Sequence, residues 1–265
     1  MFRSILRKCV WERRKSTLFW CFGVGAYTFF IGVLYPSIDG IEGFQASVDD
    51  MPDPLKALLG EVEDITSPTG FLAAEVYNLV LPLLLSVLAI GYGASAIARE
   101  EEPGTLELLL ATANPRWRIV LEKLAALTLI LLAVTIAAWA GIAAAMIVVD
   151  FDVSLDAVWW ATLMAAMLAL AFGVIALLVT AWGGSRGLAI GAATGLFVVS
   201  YFANTVVLFV GDLEDLRYAS LLYYYDGEGV LQEETRLSHV LVLLGVVVTA
   251  AILSWFGFGR RDTGL

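Results

Sequence analysis

Residues 124–149 read LAALTLILLAVTIAAWAGIAAAMIVV, an unbroken run of 26 residues without a single charged side chain. A helix needs about 20 apolar residues to cross the roughly 30 Å hydrocarbon core of a bilayer, because each residue adds about 1.5 Å. Helices of soluble proteins are shorter, at about 11–12 residues on average. This stretch alone therefore predicts an integral membrane protein.

Five further stretches meet the same criterion of length and apolar character, so the sequence predicts six transmembrane helices. The composition agrees, since 60% of the 265 residues are apolar and only 16% are charged, against about 45–50% and 25% in soluble domains. We expect an all-α membrane protein that forms a single transmembrane domain over residues 1–265. The other five predicted spans lie at about 17–35, 71–98, 157–182, 188–210 and 238–258.

Lys and Arg are concentrated on one side of the predicted spans. Thirteen of the sixteen lie in the N-terminal segment, in the loops after spans two and four, and after span six, whereas Lys56, Arg217 and Arg236 fall on the other side. The positive-inside rule then places both termini in the cytoplasm, as an even number of spans requires. The net charge of −10 divides into +6 inside and −15 outside, and Glu75 in span two supplies the remainder.

The first apolar stretch follows six basic residues. Its apolar part is long and lacks a clear small-residue cleavage site, so an uncleaved anchor is favoured over a signal peptide. Apolar residues such as Ile5 and Leu6 alternate with the bases, which predicts an amphipathic helix lying on the anionic lipid of the inner leaflet. The presence of these basic residues is explained about as well if they only set the orientation of the chain in the membrane.

Motifs for catalysis and for cofactors are missing from the sequence. No Gly-Lys pair is present, so the chain lacks a P-loop. One histidine, His239, and two cysteines give no usual metal-ligand spacing, and there is no Gly-x-Ser-x-Gly elbow. We expect a non-enzymatic chain with no cofactor of its own, and no nucleic acid as a partner.

The loop between spans two and three carries the most information about function. Pro103-Gly104 breaks the helix that leaves span two, and Thr105 is suited to cap a new helix. The run 105–112 allows two turns before Pro115 stops it. The loop therefore predicts a short helix outside the bilayer.

One face of this predicted helix is apolar, because Leu106, Leu109 and Leu110 follow helical spacing. Such a face needs something to pack on. It either lies on the membrane surface or docks into a cytoplasmic partner, which could then transmit motion to the transmembrane helices.

The stretch 98–123 resembles the coupling-loop pattern of ABC-2 type exporter permeases. Six spans, a basic N-terminal segment and the length of the chain are also similar to that family. The matching residues are Glu100, Gly104, Thr105, Leu106, Glu107, Leu109, Leu110, Pro115, Arg116, Trp117 and Lys123.

The resemblance implies a multi-pass permease in the plasma membrane of a prokaryote, which works as two transmembrane subunits with two ABC ATP-binding subunits. ATP would be bound by those partner subunits, and closure of the ATPases would push the short helix and tilt span two. The residues that the resemblance assigns to coupling are Glu100, Gly104, Thr105, Leu106, Glu107, Leu109, Leu110 and Arg116.

Small residues mark a candidate contact between two permease copies. Gly187, Gly191 and Gly195 recur every four residues at the start of span five, a spacing that lets helix backbones approach closely. Packing inside one bundle is the plain interpretation. The resemblance favours a homodimer seam formed by spans one and five, and Gly23 and Gly25 of span one could face it.

Polar residues near the outer end of span two form a candidate outer gate. Glu75 and Asn78 lie about one turn from the predicted outer edge. An acid inside a span is a functional candidate by default, although solvation at the interface also explains this one.

Two other functions are compatible with the sequence. An accessory ABC-2 complex could serve the maturation of an exported metalloprotein instead of exporting a drug or lipid. Alternatively, a membrane channel or scaffold could bind a cytoplasmic regulator through the same loop without ATP.

Overall fold

The structure of the protein is a computed structural model, and it describes residues 4–39, 67–101, 115–149, 153–205, 217–232 and 236–260. Within these ranges the backbone is helical and forms no strand. Six of the helices are long and apolar enough to cross a membrane. The all-α class and the six candidate transmembrane helices are thus confirmed, whereas the orientation of the termini stays a prediction.

Each of the six predicted spans overlaps one of these long helical segments. The second segment consists of two α-helices with a π-helical turn, Ala73–Tyr77, between them, and a short 3₁₀ turn, Leu222–Tyr224, precedes α7. The α-helices are α1 (Ile5–Asp39), α2 (Pro68–Leu72), α3 (Val80–Glu101), α4 (Arg116–Val148), α5 (Leu155–Ala181), α6 (Arg186–Thr205), α7 (Gly227–Leu231) and α8 (Leu237–Arg260).

Local side-chain chemistry sets several helix ends. Ser67 caps α2 by accepting a hydrogen bond from the Gly70 amide at 3.1 Å, the usual role of a serine at this position. Gly183 ends α5 with a φ of 97°, a left-handed conformation that favours glycine. The hydroxyl of Ser185 then accepts from the Leu188 amide at 3.2 Å and starts α6.

The basic N-terminal segment is not a separate surface helix. It continues without a break into the first candidate span as part of α1, and its residues Ile5 and Cys9 are each only 9% exposed. In the described residues the expected helix is therefore the first part of α1, where the Leu6 amide donates a hydrogen bond to Glu122 of α4 at 2.8 Å, and its contact with the inner leaflet stays a prediction.

Helix α5 is the centre of the bundle. It contacts α3, α4, α6, α7 and α8, and side chains all around it are buried, among them Leu168, Phe172 and Leu177. A helix that is apolar all round is expected at such a position. The remaining long helices each leave large apolar side chains exposed, for example Phe22 on α1 at 78% and Leu188 on α6 at 60%, as expected of surfaces that face lipid or another chain.

Glycines allow two close helix crossings. On α3, a Cβ atom at Gly93 would overlap the backbone carbonyl of Gly173 on α5. On α1, a Cβ atom at Gly25 would lie 3.0 Å from the carbonyl oxygen of Ala137 on α4, and Thr28 donates a hydrogen bond to the Ala138 carbonyl at 2.9 Å. Small residues that bring backbones together are typical of helix packing in membranes.

The Gly93→Ala substitution tests the α3–α5 crossing. The added methyl group would meet rigid backbone, so we expect the free energy of unfolding to fall by about 1–3 kcal/mol. The matched control is Gly91→Ala on the same helix, where a Cβ atom meets nothing within 4 Å. That control should be neutral or stabilising by up to about 1 kcal/mol, because alanine favours the helix. Thermal unfolding in detergent measures both, and equal melting temperatures for the two variants would contradict the crossing.

Candidate functional site

Most of the predicted coupling residues lie outside the part of the chain that the structure describes. Glu100 belongs to the last turn of α3 and Arg116 is the first residue of α4, and the structure describes only their backbone. Their coupling role stays a prediction. The predicted coupling residues that lie outside the described ranges are Gly104, Thr105, Leu106, Glu107, Leu109 and Leu110.

The helix that follows this segment is connected directly to α1 through Glu122. One carboxylate oxygen of Glu122 accepts hydrogen bonds from the Leu6 amide at 2.8 Å and from the Ser4 hydroxyl at 3.0 Å. The other oxygen accepts from Arg118 Nε at 2.8 Å. A carboxylate at a helix N-terminus satisfies amides that have no partner in the helix and interacts favourably with the helix dipole.

This arrangement ties the first turns of α4 to the start of α1. A movement of the start of α4 would therefore reach α1 through Glu122. The spacing of four residues between Arg118 and Glu122 was visible in the sequence as a helical ion pair. The contact of Glu122 with Ser4 and Leu6 joins residues more than 110 positions apart, and no local pattern predicts it.

Glu122→Ala should loosen this end of the bundle. It removes a charge-assisted cap from a partly exposed position, so we expect a loss of about 1–2 kcal/mol of unfolding free energy. The control is Glu12→Ala, since Glu12 is 4.0 Å from Lys8 in an exposed pair and its loss should cost less than about 1 kcal/mol. Thermal unfolding compares the two. An effect of Glu122→Ala no larger than that of the control would contradict the capping role.

The end of the second candidate span that is predicted to be the outer one contains the π-helical turn Ala73–Tyr77. The amide of Asn78 bonds to the carbonyl of Ala73 at 2.7 Å, five residues back. Pro82, four residues after Asn78, has no amide to donate to the Asn78 carbonyl and disfavours a regular helix there. Such turns leave backbone carbonyls without their usual helical donors, and they occur frequently at functional sites.

Tyrosine hydroxyl groups bind the carbonyls of this turn. Tyr27 on α1 donates to the Glu75 carbonyl at 2.6 Å, and Tyr225 donates to the Tyr77 carbonyl at 2.8 Å. The hydroxyl of Tyr77 in turn lies 2.7 Å from that of Thr162 on α5. Burial raises the pKa of Tyr225 well above its ordinary value, and nearby Tyr77 and Asp226 raise it further, so the hydroxyl stays protonated and remains a donor.

The candidate gate residues lie on or next to this turn. Glu75 is exposed and Asn78 is half-buried in the single chain. The structure thus places both beside a hydrogen-bonded irregularity that the sequence did not reveal, although Pro82 was a signal for it. Their role as an outer gate stays a prediction.

The segment 217–232, which is predicted to lie outside, packs over this region. Ser220 donates to the Ser200 carbonyl of α6 at 2.7 Å, and helix α7 contacts α5 and the π-helical turn. Tyr223 and Tyr224 each stack against the buried ring of His239 on α8, with centroids 5.6 Å apart. The ring of His239 thus packs between α8 and the segment 217–232.

Tyr225→Phe tests the support of the π-helical turn. It removes the donor from the Tyr77 carbonyl inside a buried contact, which should cost about 1–3 kcal/mol of unfolding free energy. The matched control is Tyr218→Phe, because Tyr218 is 57% exposed and its change should stay within about 0.5 kcal/mol. Thermal unfolding of both variants decides the question, and unchanged stability of Tyr225→Phe would refute the supporting role.

The candidate dimer residues lie on an outward face of α6. A Cβ atom at Gly187, Gly191 or Gly195 would meet nothing within 4 Å among the described residues, so within this part of the chain these glycines contact no neighbouring helix. In contrast, Gly25 contacts α4 of its own chain, and the expectation that it faces a second copy is wrong. A Cβ atom at Gly23 would meet nothing within 4 Å among the described residues.

Metal-ligating groups and similar proteins were compared next with this arrangement of residues. Among the described residues, no group of three or more His, Cys, Asp and Glu side chains could hold a metal ion. No curated protein matches the chain. A family model does match: it is described as "ABC-2 family transporter protein", and it covers residues 3–263.

Proposed function

The chain belongs to the ABC-2 family of transporters, and on that premise we propose that it is the permease subunit of an ATP-binding cassette exporter. It works in the plasma membrane of a prokaryote with both termini in the cytoplasm. The observation that carries the proposal is the family match over residues 3–263, together with six helices suited to cross a membrane.

The energy for transport comes from a separate ATP-binding subunit. The sequence of the permease has no Gly-Lys pair and hence no P-loop. The partner docks on the segment between α3 and α4, whose sequence combines the acid Glu107 with the apolar residue Leu109. No cofactor is bound by the permease itself.

Motion at the docking segment reaches the rest of the bundle by two routes. Helix α3 ends at Glu101 immediately before the segment, so a push on the segment tilts the second span. Helix α4 begins immediately after it and is tied to α1 through Glu122. Transport then needs two states of similar free energy, and nucleotide binding shifts the balance between them.

The outer end of the second span supplies the hinge for that tilt. The π-helical turn is held by hydrogen bonds from Tyr27 and Tyr225, which come from α1 and from the outer segment. If the hydroxyl groups of Tyr27 and Tyr225 moved to other carbonyls of the turn, α3 could move relative to α1 and the segment 217–232. Glu75 and Asn78 would then open as the outer gate.

Two copies of the permease form the functional unit. The outward glycine face of α6 supports this proposal, since Gly187, Gly191 and Gly195 leave room for a close backbone approach. Cross-links between cysteines introduced at these positions should join two copies in native membranes.

The double substitution Glu107→Ala with Leu109→Ala tests the docking role. We expect at least about a tenfold loss of the ATP-binding subunit that stays bound to the tagged permease during purification, because both the charge and the apolar contact are removed. The control pairs Glu12→Ala with Leu121→Ala, an acid and a 52% exposed leucine outside the segment. Undiminished binding of the ATPase to the double variant would refute docking through this segment.

A further inference from the structure

Glu75 is the only acidic residue in the second candidate span, which runs from Pro68 to Arg99. Its side chain is exposed. Within the described part of the chain, its carboxylate has neither a hydrogen-bond donor nor a cationic partner. Acids in membrane spans are rare, and they usually pair with another group or line a pathway. An acid without a partner at this position therefore indicates a binding function for a positive charge.

The side chain of Tyr27 on α1 lies beside this carboxylate. The Tyr27 hydroxyl donates to the Glu75 carbonyl at 2.6 Å, and the carboxylate is close enough to interact electrostatically with the same hydroxyl. The face of an aromatic ring attracts a cation. A carboxylate and a ring at one place thus favour a positively charged organic group.

The same residues are poorly suited to a metal ion. Hard cations such as Ca²⁺ take six to eight oxygen ligands, and Mg²⁺ takes six. Among the described residues, no group of three or more His, Cys, Asp and Glu side chains could supply them. An organic cation needs no such set of ligands, because its charge is spread over a larger group.

Exposed apolar side chains continue from Glu75 toward the middle of the span. Helix α1 packs mainly on α4, and it meets the second span chiefly at α2 and the π-helical turn. Beyond that turn, Phe22 on α1 is 78% exposed, and Leu83 and Val87 on α3 are 39% and 51% exposed. A ligand whose charge lies at Glu75 therefore finds apolar surface for an apolar body.

The sequence that joins α1 to α2 adds negative charge at this end of the bundle. Residues 40–66 contain seven acidic residues and one basic residue, Lys56, and they connect the helices that carry Tyr27 and Glu75. An excess of one sign of charge raises the local concentration of ligands of the opposite sign. The ligand that approaches Glu75 from this end is therefore a cation.

We propose that Glu75 and Tyr27 bind the positive charge of an apolar organic cation, whose body packs along the exposed apolar side chains of α1 and α3. That this ligand is the exported substrate rests on the proposed function of the permease. Glu75 then distinguishes cationic substrates from anionic compounds of the same shape.

Tetraphenylphosphonium and tetraphenylborate test the proposal, because the two ions have the same shape and opposite charge. Equilibrium dialysis of the full-length permease in a neutral detergent measures the binding of each, and empty micelles give the partitioning to subtract. We expect saturable binding of tetraphenylphosphonium and at least about tenfold weaker binding of tetraphenylborate. Glu75→Gln should weaken tetraphenylphosphonium binding about tenfold, because it removes the charge that faces the cation.

Two variants of Tyr27 separate its ring from its hydroxyl. Tyr27→Phe and Tyr27→Leu both lose the hydrogen bond to the Glu75 carbonyl, and only the second also loses the ring. Tyr27→Leu should therefore weaken tetraphenylphosphonium binding about threefold more than Tyr27→Phe does. Equal binding by the two variants would overturn the role of the ring.

The matched control for Glu75→Gln is Asp156→Asn, which removes an exposed acid from the first turn of α5 on the same predicted side of the membrane. Its binding should equal that of the wild type. Equal binding of the two ions, or equal losses in Asp156→Asn and Glu75→Gln, would overturn the proposal.

Lys56 and a second copy of the chain are the competing partners for the carboxylate. A tenfold gain of tetraphenylphosphonium binding in Lys56→Gln would assign Glu75 to an ion pair with Lys56 and overturn the proposal. Conversion of a dimer to a monomer by Glu75→Gln, measured by light scattering, would assign it to a contact between copies and do the same. The binding assay needs neither ATP nor an ATPase, so its failure is distinct from failure of the exporter proposal.

Discussion

Backbone carbonyls at membrane depth must find donors inside the protein, because no water is there to bind them. The π-helical turn Ala73–Tyr77 creates this demand in the second span, and two tyrosines from other elements meet it. Tyr225 thereby fixes the outer segment 217–232 over the bundle, and Tyr27 fixes α1 against the same turn. A single irregularity in one helix thus determines how three parts of the chain meet at one end.

At the other end of the bundle, the backbone amides at the start of α1 also need partners inside the protein. Glu122 satisfies the Leu6 amide at the beginning of α1. Glycines let the backbones approach closely at the α1–α4 and α3–α5 crossings. Between the two ends, buried side chains lie on every side of α5 over most of its length.

The long helices could be predicted from the sequence because an uncharged run of about 20 residues has few other solutions. The coupling pattern between spans two and three also led to the family, which the match over residues 3–263 shows. The π-helical turn and the cap by Glu122 could not be predicted, since both depend on contacts between residues far apart in the chain. The assignment of Gly25 to a dimer seam was wrong for the same reason, because helical spacing does not reveal which neighbour a small residue faces.

The proposed permease is driven at its cytoplasmic end by an ATP-binding subunit. The most direct measurement is purification of the chain from its native membranes in mild detergent, followed by identification of the proteins that remain bound and assay of ATP hydrolysis. The account predicts a stoichiometric partner that has a P-loop and no membrane spans, and that hydrolyses ATP in the complex. A permease that purifies without any ATP-binding chain, with no ATP hydrolysis in the preparation, would contradict it.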